Sequence, residues 1–147
     1  MNVYKKLDEW LKQEYSDFNT WIYFNAQKNQ DNNTSMMSDN NVTIEEFIDG
    51  SKRVTIPFQI EMVKQYDFEQ SDTNHEHMSS AMAFIDWMQK QEYGSNYPIL
   101  ADDIVVDELI VDSDVPELLV NTAENLAKYV VRCKIIYTKG WLNYGIN

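Results

Sequence analysis

His75 and His77 flank Glu76 and are the only two histidines in the 147-residue chain, so any imidazole chemistry has to begin there. Side chains two apart diverge on a helix, and no third ligand stands at a fixed spacing. The trio therefore falls short of a metal site and reads as a solvated first helical turn. Ser79 and Ser80 lie near His75, but nucleophilic catalysis also needs an orienting acid and an oxyanion hole. Both serines sit in a helical pattern with no glycine beside them. The four glycines, Gly50, Gly94, Gly140 and Gly145, are too scattered to cradle a phosphate. Cys133 is the sole cysteine, which rules out an intrachain disulfide and reads as a buried, inert thiol. The neighbouring carboxylates Asp102 and Asp103, like Glu45 and Glu46, read as exposed charge rather than an acid and its base. The sequence predicts no catalytic residue, no metal and no cofactor, and hence no enzyme.

Charge is more informative than any motif. The chain carries 12 Lys and Arg against 24 Asp and Glu, a formal charge of −12. Affinity for nucleic acid comes largely from cations that displace counterions, so this balance speaks against direct binding to DNA or RNA and against docking on an anionic membrane. Between Lys90 and Lys128 no cation occurs, while Glu92, Asp102, Asp103, Asp107, Glu108, Asp112, Asp114, Glu117 and Glu124 all fall there. After Glu124 the signs reverse, with Lys128, Arg132, Lys134 and Lys139 and no acid. Two arrangements are open. One copy presents an acidic patch to a basic patch on the next, a head-to-tail contact that makes a ring when the rotation closes. Alternatively, the two segments pair within one subunit and neutralise each other.

The elements that would position these residues follow from periodicity. The length suits one domain able to bury a core unaided, and 44% apolar with 13% aromatic residues is too rich for disorder, despite a mean hydropathy of −0.51. No apolar run is long enough to cross a membrane, and the start lacks the order of a signal peptide, so a soluble, cytoplasmic protein is expected. Tyr4, Leu7, Trp10, Leu11, Tyr15 and Phe18 recur three or four apart and predict an amphipathic helix over 3–16. Trp21 to Phe24 favours a strand. The asparagine-rich stretch 27–41, with only Met36 and Met37 apolar, predicts a mobile loop. Asp49-Gly50 predicts a hairpin whose first arm, Val42–Ile48, is either strand or helical turn.

Val54, Ile56, Phe58, Ile60 and Met62 alternate with Thr55, Gln59 and Glu61, which marks the clearest strand, with Pro57 suited to an edge or to the first few residues of pairing. A helix over 75–91, capped by Asp72, Thr73 or Asn74, carries Met78, Ala81, Met82, Ile85 and Met88, with Phe84 and Trp87 widening the stripe. Gly94 to Pro98 ends it. Ile104 to Val111 predicts a strand whose buried side Asp107 and Glu108 blur. Pro116 opens a loop through Asn121, Thr122 and Asn125. Tyr129, Val131, Cys133, Ile135 and Tyr137 line one face of a last strand. The order predicts one α+β domain, a mostly antiparallel sheet with two main helices packed on one face.

This order resembles the tail-terminator proteins of long-tailed bacteriophages, also called tail-completion or minor capsid proteins, found in phages and prophages of Gram-positive bacteria. The likeness rests on the first helix, Asp49-Gly50-Ser51 before Pro57-Phe58-Gln59-Ile60, and the helix from His75 to Phe84-Ile85-Asp86-Trp87. Tyr97-Pro98-Ile99-Leu100, Pro116-Glu117-Leu118-Leu119 and the closing Ala127-Lys128-Tyr129 to Ile136-Tyr137 complete it. It spans nearly the whole chain and is least over 27–41. The resemblance implies a structural virion protein, made in a host bacterial cytoplasm, that forms a hexameric ring at the head-proximal end of the tail. Such a ring ends polymerisation of the tail tube protein and offers a joining surface to the head connector. From the segregation of charge, the contacts between copies are expected at Asp102, Asp103, Asp107, Asp112, Asp114, Arg132 and Lys134, with 27–41 as a segment able to order on docking. The rival reading is an acidic binding module that mimics nucleic acid or masks a basic protein.

Overall fold

The computed structural model describes residues 1–15, 22–26, 32–69 and 71–140. In chain order these form α1 (Val3–Glu14), β1 (Tyr23–Phe24), β2 (Asn33–Ser38), β3 (Thr43–Glu46), β4 (Lys52–Gln65), α2 (Ser71–Tyr93), β5 (Ile104–Val111), β6 (Glu117–Asn121) and β7 (Leu126–Lys139). The seven strands make one open sheet, antiparallel except where β1 runs parallel to β2.

Its centre is the pair β4 and β7, 14 residues each, joined without a break from Lys52 opposite Lys139 to Gln65 opposite Leu126. The alternation read from the sequence sets which face is covered. Val54, Ile56, Phe58, Ile60 and Met62 meet Tyr137, Ile135, Cys133, Val131 and Tyr129 across the ladder, and all ten are buried on the helix side. Each central strand is flanked on its outer side by two short ones placed end to end. On β4, β3 pairs with Lys52–Thr55 and β2 with Phe58–Val63. On β7, β6 pairs with Leu126–Val130 and β5 with Cys133–Lys139.

The helices bury the covered face. Asn2 caps α1, its side chain accepting from the N–H groups of Tyr4 and Lys5 at 3.1 and 3.3 Å. The stripe Val3, Leu7, Trp10 and Leu11 is buried, as is Ala81, Phe84, Ile85 and Met88 of α2. Trp10 and Trp87 bring the two helices together, ring centres 5.2 Å apart, with Tyr15 against both Phe84 and Trp87.

Several expectations change. The stretch 27–41 is not simply a loop: Asn33–Ser38 is β2, with Ser35 and Met36 buried. Pairing with β4 satisfies the backbone of these polar residues and sets Met36 opposite Ile60, a gain invisible to composition. Positions 27–31 lie outside the described residues, as do Phe18 and Trp21. The first hairpin arm is a strand, and α2 starts at Ser71, ahead of every residue expected to cap it. Asn74 instead ties back to Asp67, accepting from its N–H at 2.9 Å and donating to its carbonyl at 2.6 Å. Met82 is exposed rather than part of the buried stripe. The loop after Pro116 contains β6, because Leu118, Leu119 and Val120 pair with β7.

Pro57 lies in a central strand, not at an edge. It falls where β3 has ended opposite Thr55 and β2 has yet to begin opposite Phe58, so the missing donor meets a gap in the ladder. In β5 the partner steps from Tyr137 to Ile136 while the strand advances from Val106 to Glu108, leaving Asp107 as a bulge. The extra residue lets Val106 and Leu109, three apart, share the covered face, which resolves the blurred register.

If the central ladder carries the core, truncations there cost most. Ile60→Ala and Ile135→Ala, both at fully buried positions, are expected to lose about 2–5 kcal/mol each. Val120→Ala on exposed β6 is expected to lose well under half of that, as read by urea denaturation.

Candidate interaction surfaces

The residues that suggested chemistry are placed as ordinary surface or core groups. His75 is exposed in the second turn of α2, and the Ser80 hydroxyl donates to the Glu76 carbonyl of its own helix at 3.1 Å. Among the described residues no three His, Cys, Asp or Glu side chains gather where they could hold a metal ion. Cys133 is buried in the core, and burial, helped by the nearby negative charge of Asp112, pushes its thiol far above the usual range. A protonated, enclosed thiol is a poor nucleophile. No helix among the described residues is long and apolar enough to cross a membrane.

The acidic and basic segments meet inside the subunit. Because β5 and β6 flank β7, Arg132 Nη2 reaches Glu117 Oε2 at 2.7 Å and Lys134 Nζ lies 4.0 Å from Asp112 Oδ1. Asp107 accepts from the Thr138 hydroxyl at 2.6 Å, and Asp114 from the Gln89 amide at 2.7 Å. Asp102 and Asp103 form the turn between Ala101 and Ile104, where the Asp103 carbonyl accepts from the Gly140 N–H at 3.4 Å. Of the seven charged residues expected at contacts between copies, only Asp102 keeps an exposed side chain with no intrasubunit partner among the described interactions.

The uncovered face of the sheet carries a polar row. The Gln59 amide sits between Arg132 and Glu61, and the orientation that satisfies both sets its oxygen 2.5 Å from Arg132 Nη1 and its nitrogen 3.3 Å from Glu61 Oε2. Lys128 Nζ stands 3.4 Å from Glu61 Oε1, which compensates the charge of this buried carboxylate without a well-formed hydrogen bond.

What sequence patterns missed is apolar. At the β3–β4 hairpin, Ile44 is 57% exposed, Phe47 44%, and Ile48 stands fully in solvent. The turn that presents them is fixed locally. Phe47 and Ser51 bond across it, Gly50 supplies a φ of 87°, and Asp49 Oδ1 accepts from the Ser51 N–H and hydroxyl at 2.9 and 2.6 Å. Those bonds to Ser51 hold the Asp49 carboxyl below its usual range. On the far side of the sheet, every residue of β6 is exposed, Leu118, Leu119 and Val120 among them. Beside β6 lies a cleft of about 220 Å³ walled by Val63, Leu119, Val120, Leu126, Ala127 and Lys128. No protein-family model matches the chain, and no curated protein matches it either.

Because the Arg132 and Glu117 side chains are each about half exposed, Arg132→Ala is expected to cost no more than about 1 kcal/mol in chemical denaturation. For Asp49, a folded-state pKa below the unfolded value means that its contribution is present above the unfolded pKa and fades as pH falls through the folded one. Carboxyl NMR is expected to show Asp49 titrating low in the native protein, and Ser51→Ala to return it toward the ordinary value.

Proposed function

We propose that this chain is a ring-forming structural protein that caps the tail tube of a long-tailed phage, ending tube growth and presenting the surface to which the head connector joins. One observation carries the self-association at its base: a strongly acidic domain leaves two groups of large apolar side chains on unlike strands at distant places in one sheet. Exposed apolar patches on short edge strands are characteristic of association surfaces. Since the two places differ, a contact joining one to the other is head-to-tail, and closed rotation gives a ring. The resemblance of the segment order to that of tail-terminator proteins suggests the biological setting, including a hexamer, the tube protein and the connector as partners.

The mechanism is steric. A ring that matches the last tube layer on one side and lacks a tube-like surface on the other leaves the next tube subunit no place to bind. An excess of negative charge around a channel also avoids trapping DNA as it passes. Arg132 and Lys134 of β7 are offset within the subunit by Glu117 of β6 and by Asp112 just past β5, while Asp102, on its exposed turn, stays available at a contact.

Electron microscopy of the chain mixed with polymerising tube protein provides the test. The expected result is tubes of arrested growth with a ring of this chain at one end and a fixed stoichiometry by mass measurement. Tube growth that ignores the chain, or recovery from its host of a basic nucleic-acid-binding protein in place of tail proteins, would contradict the proposal.

A further inference from the structure

The two apolar places are matched in kind as well as in number. β3 borders the Lys52–Thr55 end of β4, whereas β6 borders Leu126–Val130 of β7, which lies across from Glu61–Gln65 of β4. They therefore occupy diagonally opposite corners of the sheet, separated by roughly 30 Å along the strand direction at the usual rise per residue. At one corner the shape is convex, a rigid turn with Phe47 and Ile48 projecting. At the other it is concave, the cleft beside Leu119, Val120 and Leu126.

Both corners also end in strands with no outer neighbour among the described residues. Sheet edges are ordinarily guarded by Lys, Pro, a bulge or a covering element, because unpaired N–H and C=O groups recruit another strand. β5 carries such a bulge at Asp107. Neither β3 (Thr43–Glu46) nor β6 (Glu117–Asn121) contains a Lys, a Pro or a shift of register, and of the acids they carry Glu46 and Glu117 are paired within the subunit with Lys52 and Arg132, leaving Glu45 as the remaining edge charge.

We infer that the hairpin turn of one copy, led by Phe47 and Ile48, seats in the β6 cleft of a second copy, with the β3 and β6 edges extending the sheet from subunit to subunit. This deepens the proposed ring and rests on it for closure. It names a contact different from the charged residues of β5 and β7. The occupant is a second copy because the chain itself carries both halves, an apolar projection and an apolar recess of opposite shape, on surfaces that cannot meet within one subunit.

Directed disulfide formation tests it. Ile48→Cys and Leu119→Cys are made in separate full-length chains of distinguishable mass and oxidised with oxidised glutathione at high protein concentration, Cys133 being buried and silent. The mixture is expected to give the mixed dimer in large excess over either single variant alone, and the doubly substituted chain a ladder ending at a closed ring. A dominant Ile48→Cys homodimer would overturn the head-to-tail contact. No disulfide under conditions where the unmodified chain associates would overturn this contact and leave the ring standing. A chain that neither forms the disulfide nor joins tail tubes would overturn both. As a check independent of cysteine, Ile48→Asp is expected to weaken association roughly 10- to 100-fold, the value of burying one large aliphatic side chain, with thermal stability unchanged because that side chain is fully exposed in the single subunit.

Discussion

The antiparallel pairing of β4 with β7 is the constraint from which the rest of the molecule follows. Its length gives each strand more outer edge than one short neighbour occupies, so two neighbours share each side. That arrangement creates the gap that tolerates Pro57 and the corners at which β3 and β6 stand exposed. Its register decides the electrostatics too. Once Arg132 lies opposite Gln59 and β6 returns along Leu126–Val130, Glu117 can reach Arg132 and the polar row to Lys128 is set. The helices then close over the only face whose alternation is apolar along its full length.

Much of this could be read in the residues. Strict alternation in Val54–Met62 and Tyr129–Tyr137 fixed both the strands and their buried side, because a one-residue slip would expose the whole set. Leu7, Trp10 and Leu11, and Phe84, Ile85 and Met88, were equally plain as helical stripes. β2 and β6 were hidden for different reasons. The polar side chains of Asn33–Ser38 favour a loop locally, and only the waiting edge of β4 turns them into a strand. In Glu117–Asn121 the apolar run is three residues long, too short for periodicity to identify, and Pro116 directs attention to a break.

The surface residues show the same limit from the other side. Segregation of acids in 92–124 from bases in 128–139 was visible in the sequence, yet its meaning depended on whether those segments are neighbours. They are, so the linear pattern largely records strand pairing inside the subunit. The exposed side chains of Ile44, Phe47 and Ile48 carried the opposite lesson. They look like strand and core residues in a sequence, and only the position of the hairpin at a corner of the sheet shows that no described residue covers them.

The central claim is that copies of this chain dock through the edges β3 and β6. Amide hydrogen exchange, followed peptide by peptide as the chain passes from dilute solution into its assembled form, tests this most directly. Residues 43–48 and 117–121 are expected to exchange fast in dilute solution and to become protected together on assembly, with the central ladder slow throughout. Protection that appears instead over 102–114, with 43–48 and 117–121 still fast, would contradict it and return the contact to the acidic strand.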